Sequence, residues 1–199
     1  MLFQPVRDVA VALLLAGALC AQAAASVPQV EIQTNGQGDD ITVTASAEML
    51  VDPHIAWAVI TDYDHLADFI PYMRSSRVVH RDADRVVVEQ TGVFSFLFFT
   101  QPVQAQLAVV ESPPRRVMAH AVGGNLREME GRYTLEKLPS GTVRLSYSGR
   151  LVPDFAVPPV IGKIVVRTVL ANQFSAMVKE IVRRDAEKGT LSVPTAAQR

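Results

Sequence analysis

Over the middle of the chain, apolar and polar residues alternate with a period of two. This is the pattern of β-strands that bury one face and expose the other, as in an antiparallel sheet. Segments rich in glycine, proline and aspartate separate the alternating runs and predict tight turns between them. The predicted strands span residues 41–49, 74–80, 85–94, 104–111, 116–122, 129–135 and 143–148.

Two short helices after the first strand and one long helix near the end of the chain complete the predicted elements. Asp52 is placed to cap a first helix that ends near residue 60, and a second spans about residues 65–70, where a proline stops it. From about residue 162 to 187, side chains of an apolar stripe recur at helical spacing, and Gly189 is expected to end this helix. The stripe, which one glutamine interrupts, consists of Val166, Leu170, Gln173, Phe174, Met177 and Ile181. A curved antiparallel sheet wrapped around the long helix would bury both apolar faces, so the sequence predicts an α+β fold of the helix-grip type.

The first 25 residues carry the pattern of an export signal. An apolar run over residues 9–19 follows Arg7, and small residues at Ala23 and Ala25 suit signal peptidase. The run is short for a membrane span, which needs about 20 residues. We therefore predict a periplasmic or secreted protein that is cleaved near these alanines, with an N-terminal membrane anchor as the alternative. The single cysteine, Cys20, falls in this segment, so the mature chain would hold no disulfide and no cysteine nucleophile.

The remaining chain divides into three predicted parts. Residues 26–40 are polar and contain turn-forming glycines, which is typical of a linker or a frayed hairpin outside the core. Residues 41–188 hold all the predicted core elements and form one domain, an ordinary size for a single hydrophobic core. Residues 189–199 are predicted to be a disordered tail.

Composition and charge narrow the classes of function. The chain has 199 residues, of which 49% are hydrophobic and 20% charged, and this favours a packed core over disorder. The net charge is −1 and the basic residues are scattered, so we expect no nucleic-acid partner, which would require clustered Lys and Arg. The four histidines, at positions 54, 65, 80 and 120, do not stand at metal-ligand spacing. We expect neither a metal nor another cofactor.

Several short segments resemble the START-like (SRPBCC) superfamily. Residues 61–73 read TDYDHLADFIPYM and are similar to its "TDY…L..FIP" segment, and further similar segments lie at residues 88–92, 111–116, 130–133 and 153–155. The resemblance covers about residues 42–187 and is to the polyketide cyclase/dehydrase and coenzyme Q-binding branch. It implies the helix-grip fold with a hydrophobic cavity. These motifs are turns, caps and packing positions, and the superfamily includes lipid carriers, quinone binders, aromatic polyketide cyclases and a ribosome-associating toxin. The resemblance therefore leaves function open, although an export signal argues against the ribosome.

Polar side chains on the predicted inner face are the candidate ligand contacts. Gln90 shares the face of Val86 and Val88, and Gln173 interrupts the apolar stripe of the last helix. The predicted cavity residues are Gln90, Arg127, Tyr147, Gln173, Tyr133, Met129, Leu170, Phe174 and Met177. Buried polar groups need partners. The four polar candidates would either surround a carbonyl or hydroxyl of a ligand, or bond one another and the backbone without any ligand.

An aromatic tip is predicted where two strands should join. Four of the eight phenylalanines fall within residues 94–99, among them Phe96, Phe98 and Phe99. We expect this tip to cover the cavity mouth or to contact a membrane transiently during ligand transfer, because so apolar a hairpin should not face water alone. Phe155, held between prolines, would form the opposite lip. The alternative is that the segment belongs to strand and core.

The first functional hypothesis is non-catalytic binding, and transfer, of a lipophilic small molecule such as a lipid, a quinone or a polyketide-like compound. The quinone option rests on the resemblance alone. No nucleophile elbow occurs, and Asp62, Asp64 and Asp68 cluster at helix starts, where carboxylates stabilise exposed N–H groups. We therefore assign no catalytic residue. The second hypothesis is an aromatase/cyclase in which Arg127, Tyr147 or His120 handles protons, and the third is an envelope module whose aromatic tip binds a protein.

Overall fold

The computed structural model describes residues 28–37, 40–96, 99–154 and 159–191. Within these ranges the chain forms eight strands and three α-helices, with a 3-10 turn at Tyr63–His65. The strands are β1 (Val30–Gln37), β2 (Asp40–Met49), β3 (Met73–Asp82), β4 (Arg85–Phe96), β5 (Phe99–Ser112), β6 (Arg116–Gly124), β7 (Leu126–Lys137) and β8 (Val143–Pro153). The helices are α1 (Pro53–Ile60), α2 (Leu66–Phe69) and α3 (Pro159–Leu191).

All the described strands join one antiparallel sheet in the order β1-β2-β8-β7-β6-β5-β4-β3. The sheet is curved and α3 packs against its inner face, so the predicted α+β helix-grip fold is confirmed. Strict alternation in β2 shows how the sequence selects this face. Its inner side chains are all buried: Ile41, Val43, Ala45, Ala47 and Met49.

The helices begin and pack largely as their sequences predict. The Asp52 side chain caps α1 by accepting a hydrogen bond from the His54 backbone N–H at 2.8 Å. Along α3, Val166, Phe174 and Ile181 are buried, which confirms the predicted apolar stripe. The predicted end of this helix at Gly189 is wrong, because the helix continues to Leu191. A glycine costs a helix only about 1 kcal/mol, and a long helix already nucleated tolerates that cost.

The N-terminal segment corrects a second prediction. Residues 30–37 form β1, an edge strand that pairs with β2 from Val30 opposite Ala47 to Gln37 opposite Asp40. The linker alternative for residues 26–40 is therefore wrong, and the hairpin alternative is the right one. Val30 and Ile32 pack against the core, so the domain begins before residue 41. The predicted leader at residues 1–25 and the tail from residue 192 lie outside the described residues.

The buried apolar residues form two clusters along α3. The larger cluster gathers around Val59, Leu145 and Ile181 under α1 and the middle of the sheet. The smaller one contains Ile41, Val43 and Val166. None of the helices in the described ranges combines the length and the apolar character of a membrane span.

Candidate ligand cavity

A cavity with two lobes lies between the inner face of the sheet and α3. The outer lobe has a volume of about 140 Å³ and is bounded by residues near strand ends, such as Ile41, Val93 and Leu151. The inner lobe has a volume of about 170 Å³ and reaches Ile60 of α1 and Val109 in mid-sheet. The two lobes adjoin each other and share the wall residues Val43, Met73, Gln90, Leu107, Met129, Tyr147, Leu170 and Gln173.

The structure places eight of the nine predicted cavity residues on this wall. Those that border both lobes are Gln90, Met129, Tyr147, Leu170 and Gln173. Those that border only the inner lobe are Tyr133, Phe174 and Met177. These eight residues therefore lie on the cavity wall. Their contact with a ligand stays a prediction.

Arg127 is the exception, and its predicted cavity position is wrong. Its side chain is exposed and its Nε lies 4.0 Å from the Asp154 carboxylate, away from both lobes. The reason is an irregularity in the pairing of β7 with β8 between Leu126 and Glu128. An extra residue in one strand interrupts the period of two. Leu126 consequently lines the outer lobe where strict alternation predicts Arg127.

The two cavity glutamines are held by neighbours rather than by each other. Gln90 Nε2 donates to the hydroxyl oxygen of Ser76, a buried residue of β3, at 3.2 Å. Gln173 Nε2 donates to the backbone carbonyl of Pro71 at 3.2 Å. In the described part of the chain neither amide oxygen accepts a hydrogen bond, so both glutamines are oriented while each keeps an acceptor for another group.

Two tyrosines provide the hydroxyls of the wall. Tyr133 and Tyr147 are directly opposite in β7 and β8, and their ring centroids are 4.8 Å apart. Burial raises the pKa of Tyr147 to about 12, and burial together with the neighbouring Tyr147 raises the pKa of Tyr133 further. Both hydroxyls therefore remain protonated at neutral pH and can donate a hydrogen bond. Neither has a hydrogen-bond partner among the described residues.

A pair of glycines makes room for the Tyr147 ring. Gly131 and Gly149 are paired opposite each other, two residues along each strand from the two tyrosines. A Cβ at Gly149 would overlap the Tyr147 hydroxyl and ring, and one at Gly131 would lie 3.3 Å from that hydroxyl. The ring of Tyr147 thus lies over the backbone of both glycines. Tyr147 itself borders both lobes.

Tyr72 is a wall residue that the sequence analysis missed. It lines the outer lobe with a backbone φ of 67°, and its hydroxyl accepts a hydrogen bond from Asn172 Nδ2 of α3 at 3.1 Å. Its carbonyl accepts from the Val93 N–H at 2.9 Å and lies 2.6 Å from the position of a Cβ at Gly92. In the sequence, the proline before Tyr72 indicates only that a helix ends there. No pattern predicts the positive φ of Tyr72.

Tyr63 closes the far end of the inner lobe and was also missed. Its hydroxyl is buried and makes no hydrogen bond of normal geometry within the described ranges. Burial, and then the neighbouring Glu111 carboxylate, raise its pKa far above the usual value. The guanidinium of Arg81 lies 5.9 Å from the ring centroid. Tyr63 is therefore a neutral donor at any physiological pH.

The other residues weighed for chemistry lie outside the cavity. His120 is exposed on the outer face, opposite Glu130. Asp62 binds Arg184 at 2.7 Å and His65 at 2.6 Å, and Asp64 accepts from the Val78 N–H at 2.7 Å, so both carboxylates have structural partners. In the described ranges, no three His, Cys, Asp or Glu side chains are grouped to hold a metal ion.

At the predicted mouth of the cavity, only part of the backbone lies within the described residues. Phe96 at the end of β4 is paired with Phe99 at the start of β5, beyond the outer-lobe residues Val93 and Val103 of the same strands. The side chains of these phenylalanines, and all of Phe98 and Phe155, lie outside what the structure describes. Their role at the mouth or at a membrane stays a prediction.

The sequence comparison decides the family. The sequence model of the family described as "Polyketide cyclase / dehydrase and lipid transport" matches residues 50–178. The chain belongs to this family. The match runs from just before α1 into α3 and covers most of the cavity wall. No curated protein has a significantly similar sequence.

Several solved structures of low sequence identity share the fold. The STAR-related lipid transfer protein of Xanthomonas axonopodis is 12% identical over 79% of this chain and 95% of its own, with a TM-score of 0.64. The Zhui aromatase/cyclase of Streptomyces sp. R1128 is 12% identical over 75% of this chain and 96% of its own, with a TM-score of 0.63. The human StarD13 lipid transfer and protein localization domain is 14% identical over 76% and 84%, with a TM-score of 0.59. At these identities the likeness shows the START fold, which hosts both lipid transfer proteins and cyclases.

Proposed function

We propose that this protein binds a hydrophobic small molecule in the cavity between the sheet and α3, and passes it on without changing it chemically. The observation that carries the proposal is a two-lobed cavity whose wall is mostly apolar and holds a few convergent polar groups. Cavities of this composition are the usual form of a small-molecule site. The lipid transfer relatives of the family make the same class of ligand reasonable here.

The energetics of such binding need no charged contact. Burial of roughly 300 Å² of apolar ligand surface would contribute up to about 7 kcal/mol, before the costs of association reduce it. A few hydrogen bonds inside the cavity add about 1 kcal/mol each. Because association costs at least about 4 kcal/mol, these terms together give an affinity of roughly tens of micromolar, which suits a carrier that must also release its ligand.

The positions of the candidate proton-transfer groups favour a carrier over a cyclase. Of the three side chains that the cyclase hypothesis would use, Arg127 and His120 lie outside the cavity, and only Tyr147 faces it. A tyrosine whose pKa is raised to about 12 is a poor base at neutral pH. We further propose that the carrier acts after export, and that the hairpin around Phe98 contacts a membrane during transfer, as the sequence predicts.

The test is native mass spectrometry with lipid extraction on the full-length protein, purified from its own envelope without detergent. A defined lipophilic molecule retained at about one per chain is the expected result. A chain that arrives empty and then takes up no member of a panel of lipids, quinones and aromatic polyketides would overturn the proposal.

A pair of matched variants ties the retained molecule to this cavity. Leu170→Trp places a large ring at the junction of the lobes, and Arg167→Trp places the same ring on the exposed side of α3. We expect the first variant to lose most of the bound molecule and the second to keep it. Equal retention by both variants would place the binding site elsewhere.

A further inference from the structure

Both amide side chains of the cavity and one of its tyrosines lie where the lobes meet. Gln90, Tyr147 and Gln173 border both lobes, one each from β4, β8 and α3, so they surround the junction from three sides. Each of the three has unused hydrogen-bonding capacity in the described structure. The Tyr147 hydroxyl can donate, and the two amides, whose N–H groups are engaged by Ser76 and Pro71, retain acceptor oxygens.

On both sides of this junction the wall is mostly apolar. Its remaining hydroxyls are those of Tyr72 and Thr91 in the outer lobe, which are hydrogen-bonded to Asn172 and Ser75, and those of Tyr133 and Tyr63 in the inner lobe, of which Tyr63 lies beside the Glu111 carboxylate. The inner lobe continues between Val88, Val109 and Phe174. The outer lobe continues between Val93, Val103 and Leu126. A polar group of a ligand that lies beyond the junction, away from these hydroxyls, would lose its hydrogen bonds to water without replacement, at a cost of about 1–3 kcal/mol. A polar group at the junction would find donors and acceptors in place.

The charged residues near the cavity indicate whether it can hold a charged ligand. The one charged residue that borders either lobe in the described ranges is Arg150, in the outer lobe. Its guanidinium is engaged on the outer face of the sheet, by Asp40 at 3.0 Å and by Glu128. A carboxylate or phosphate inside the cavity would therefore have no counter-charge, and an unpaired buried charge is strongly disfavoured.

We propose that the ligand is a neutral lipophile whose hydrogen-bonding group, a carbonyl or hydroxyl, is internal, with an apolar part on each side. The internal group lies at the junction beside Tyr147, Gln90 and Gln173, and the two apolar parts occupy the two lobes. This inference rests on the proposed function. It separates long-chain ketones, esters and similar compounds from amphiphiles that carry a polar group at one end.

The test measures displacement of the fluorescent probe N-phenyl-1-naphthylamine from the full-length protein by four compounds of equal chain length. They are tridecan-7-one, tridecan-2-one, tridecane and tridecanoate, compared at pH 8. We expect the 7-ketone to bind about fivefold tighter than the 2-ketone and the alkane, which is the value of one hydrogen bond of about 1 kcal/mol. The carboxylate should bind most weakly of the four.

Two conservative variants connect this preference to the junction. Tyr147→Phe removes the hydroxyl from the wall and should remove most of the preference of the 7-ketone over the alkane, with alkane affinity retained. Ser148→Ala removes a hydroxyl from the adjacent, exposed position of β8 and should keep the preference.

The outcomes separate this inference from the function on which it rests. Displacement by all four compounds without positional preference, or a preference that Tyr147→Phe leaves intact, would overturn the inference while the carrier function stands. A protein that binds neither the probe nor any of the compounds would overturn both.

Discussion

At the scale of single residues, glycines set how closely other groups approach the cavity. Gly92 allows the backbone carbonyl of Tyr72 to pass beside β4, and Gly149 allows the Tyr147 ring to lie flat on β8. The two neighbours differ in kind, because a carbonyl in a hydrogen-bonded segment cannot move far, whereas a tyrosine ring can rotate into the cavity. The same substitution at the two positions should therefore have different effects.

Gly149→Ala is expected to change binding more than stability. The new methyl group would displace the Tyr147 ring toward the junction, where there is free volume to accept it. We expect at least a fivefold loss of probe affinity and a change in unfolding free energy below about 1 kcal/mol. Probe titration and urea denaturation measure the two quantities. Unchanged affinity would mean that the ring does not border the ligand site.

Gly92→Ala is expected to do the reverse and reduce stability by about 1–3 kcal/mol. The methyl group would lie 2.6 Å from the Tyr72 carbonyl oxygen, which also accepts the Val93 N–H, so the backbone must shift. Urea denaturation measures the loss. Gly189→Ala is the matched control, since its Cβ meets nothing within 4 Å and it should be neutral or slightly stabilising. Equal stability of the two variants would contradict the close approach.

How far single wall residues could be predicted depends on the regularity of their element. Gln90, Tyr133 and Tyr147 follow from alternation in strands that keep their register. The position of Arg127 does not follow from alternation. The irregularity beside it arises from the pairing between β7 and β8, and the apolar–polar alternation of the sequence does not reveal it. Tyr72 was missed because its place depends on a positive φ and on α3, 100 residues away in sequence.

At the scale of elements, the C-terminal half of α3 is fastened to the start of α1 and to the 3-10 turn. Arg184 binds Asp62 at 2.7 Å and Glu180 at 2.7 Å, and Lys188 binds the Asp52 carboxylate at 2.9 Å. Asp52, predicted only as a helix cap, thus joins two helices. Glu180 is the buried member of this network, and the Arg183 guanidinium holds its pKa down at about 2, with a smaller contribution from Arg184.

This network predicts a loss of stability in acid. Because the pKa of Glu180 is lowered in the folded state, its contribution is full above about pH 4.5, its ordinary value, and is lost as the pH falls toward 2. We expect roughly 1–2 kcal/mol from Glu180 between pH 6 and pH 3, a value reduced for the exposure of Arg183. Urea unfolding at the two pH values, compared with Glu180→Gln, measures it. A variant that loses as much stability in acid as the natural chain would exclude this role.

The ends of elements were predicted less well than their existence. β1 was taken for a linker or a frayed hairpin because two glycine-containing turn signals, at residues 35–36 and 38–40, end a polar segment. Its order comes from pairing with β2 and from contact with the core. The end of α3 was placed at Gly189 although the helix continues beyond it, with Lys188 joined to Asp52 in its last turn. In both cases a distant partner outweighs the local signal.

At the scale of the whole molecule, the order of elements carries most of the information. One strand, two short helices, an antiparallel sheet and a long helix admit few packings that bury every apolar face, so the helix-grip fold follows from patterning. The cavity does not follow in the same way. Its existence depends on how incompletely the side chains of β4, β8 and α3 fill the space between two clusters, and no sum over local patterns gives that volume.

The cavity between the two core clusters also affects how the protein responds to hydrostatic pressure. Unfolding admits water into internal voids, so a fold with a cavity of this size shrinks on unfolding, with a volume change toward the larger end of the usual range, about 100 mL per mole. The fluorescence of Trp57, the single tryptophan, which packs against the larger cluster, should report this change under hydrostatic pressure. We expect the midpoint pressure to rise when tridecan-7-one is bound, because a filled cavity offers no volume to gain. A midpoint that is unaffected by the ketone would mean that the ligand does not occupy this void. A raised midpoint would mean that pressure unfolds the empty protein selectively, and that the ligand-bound protein is the form that resists it.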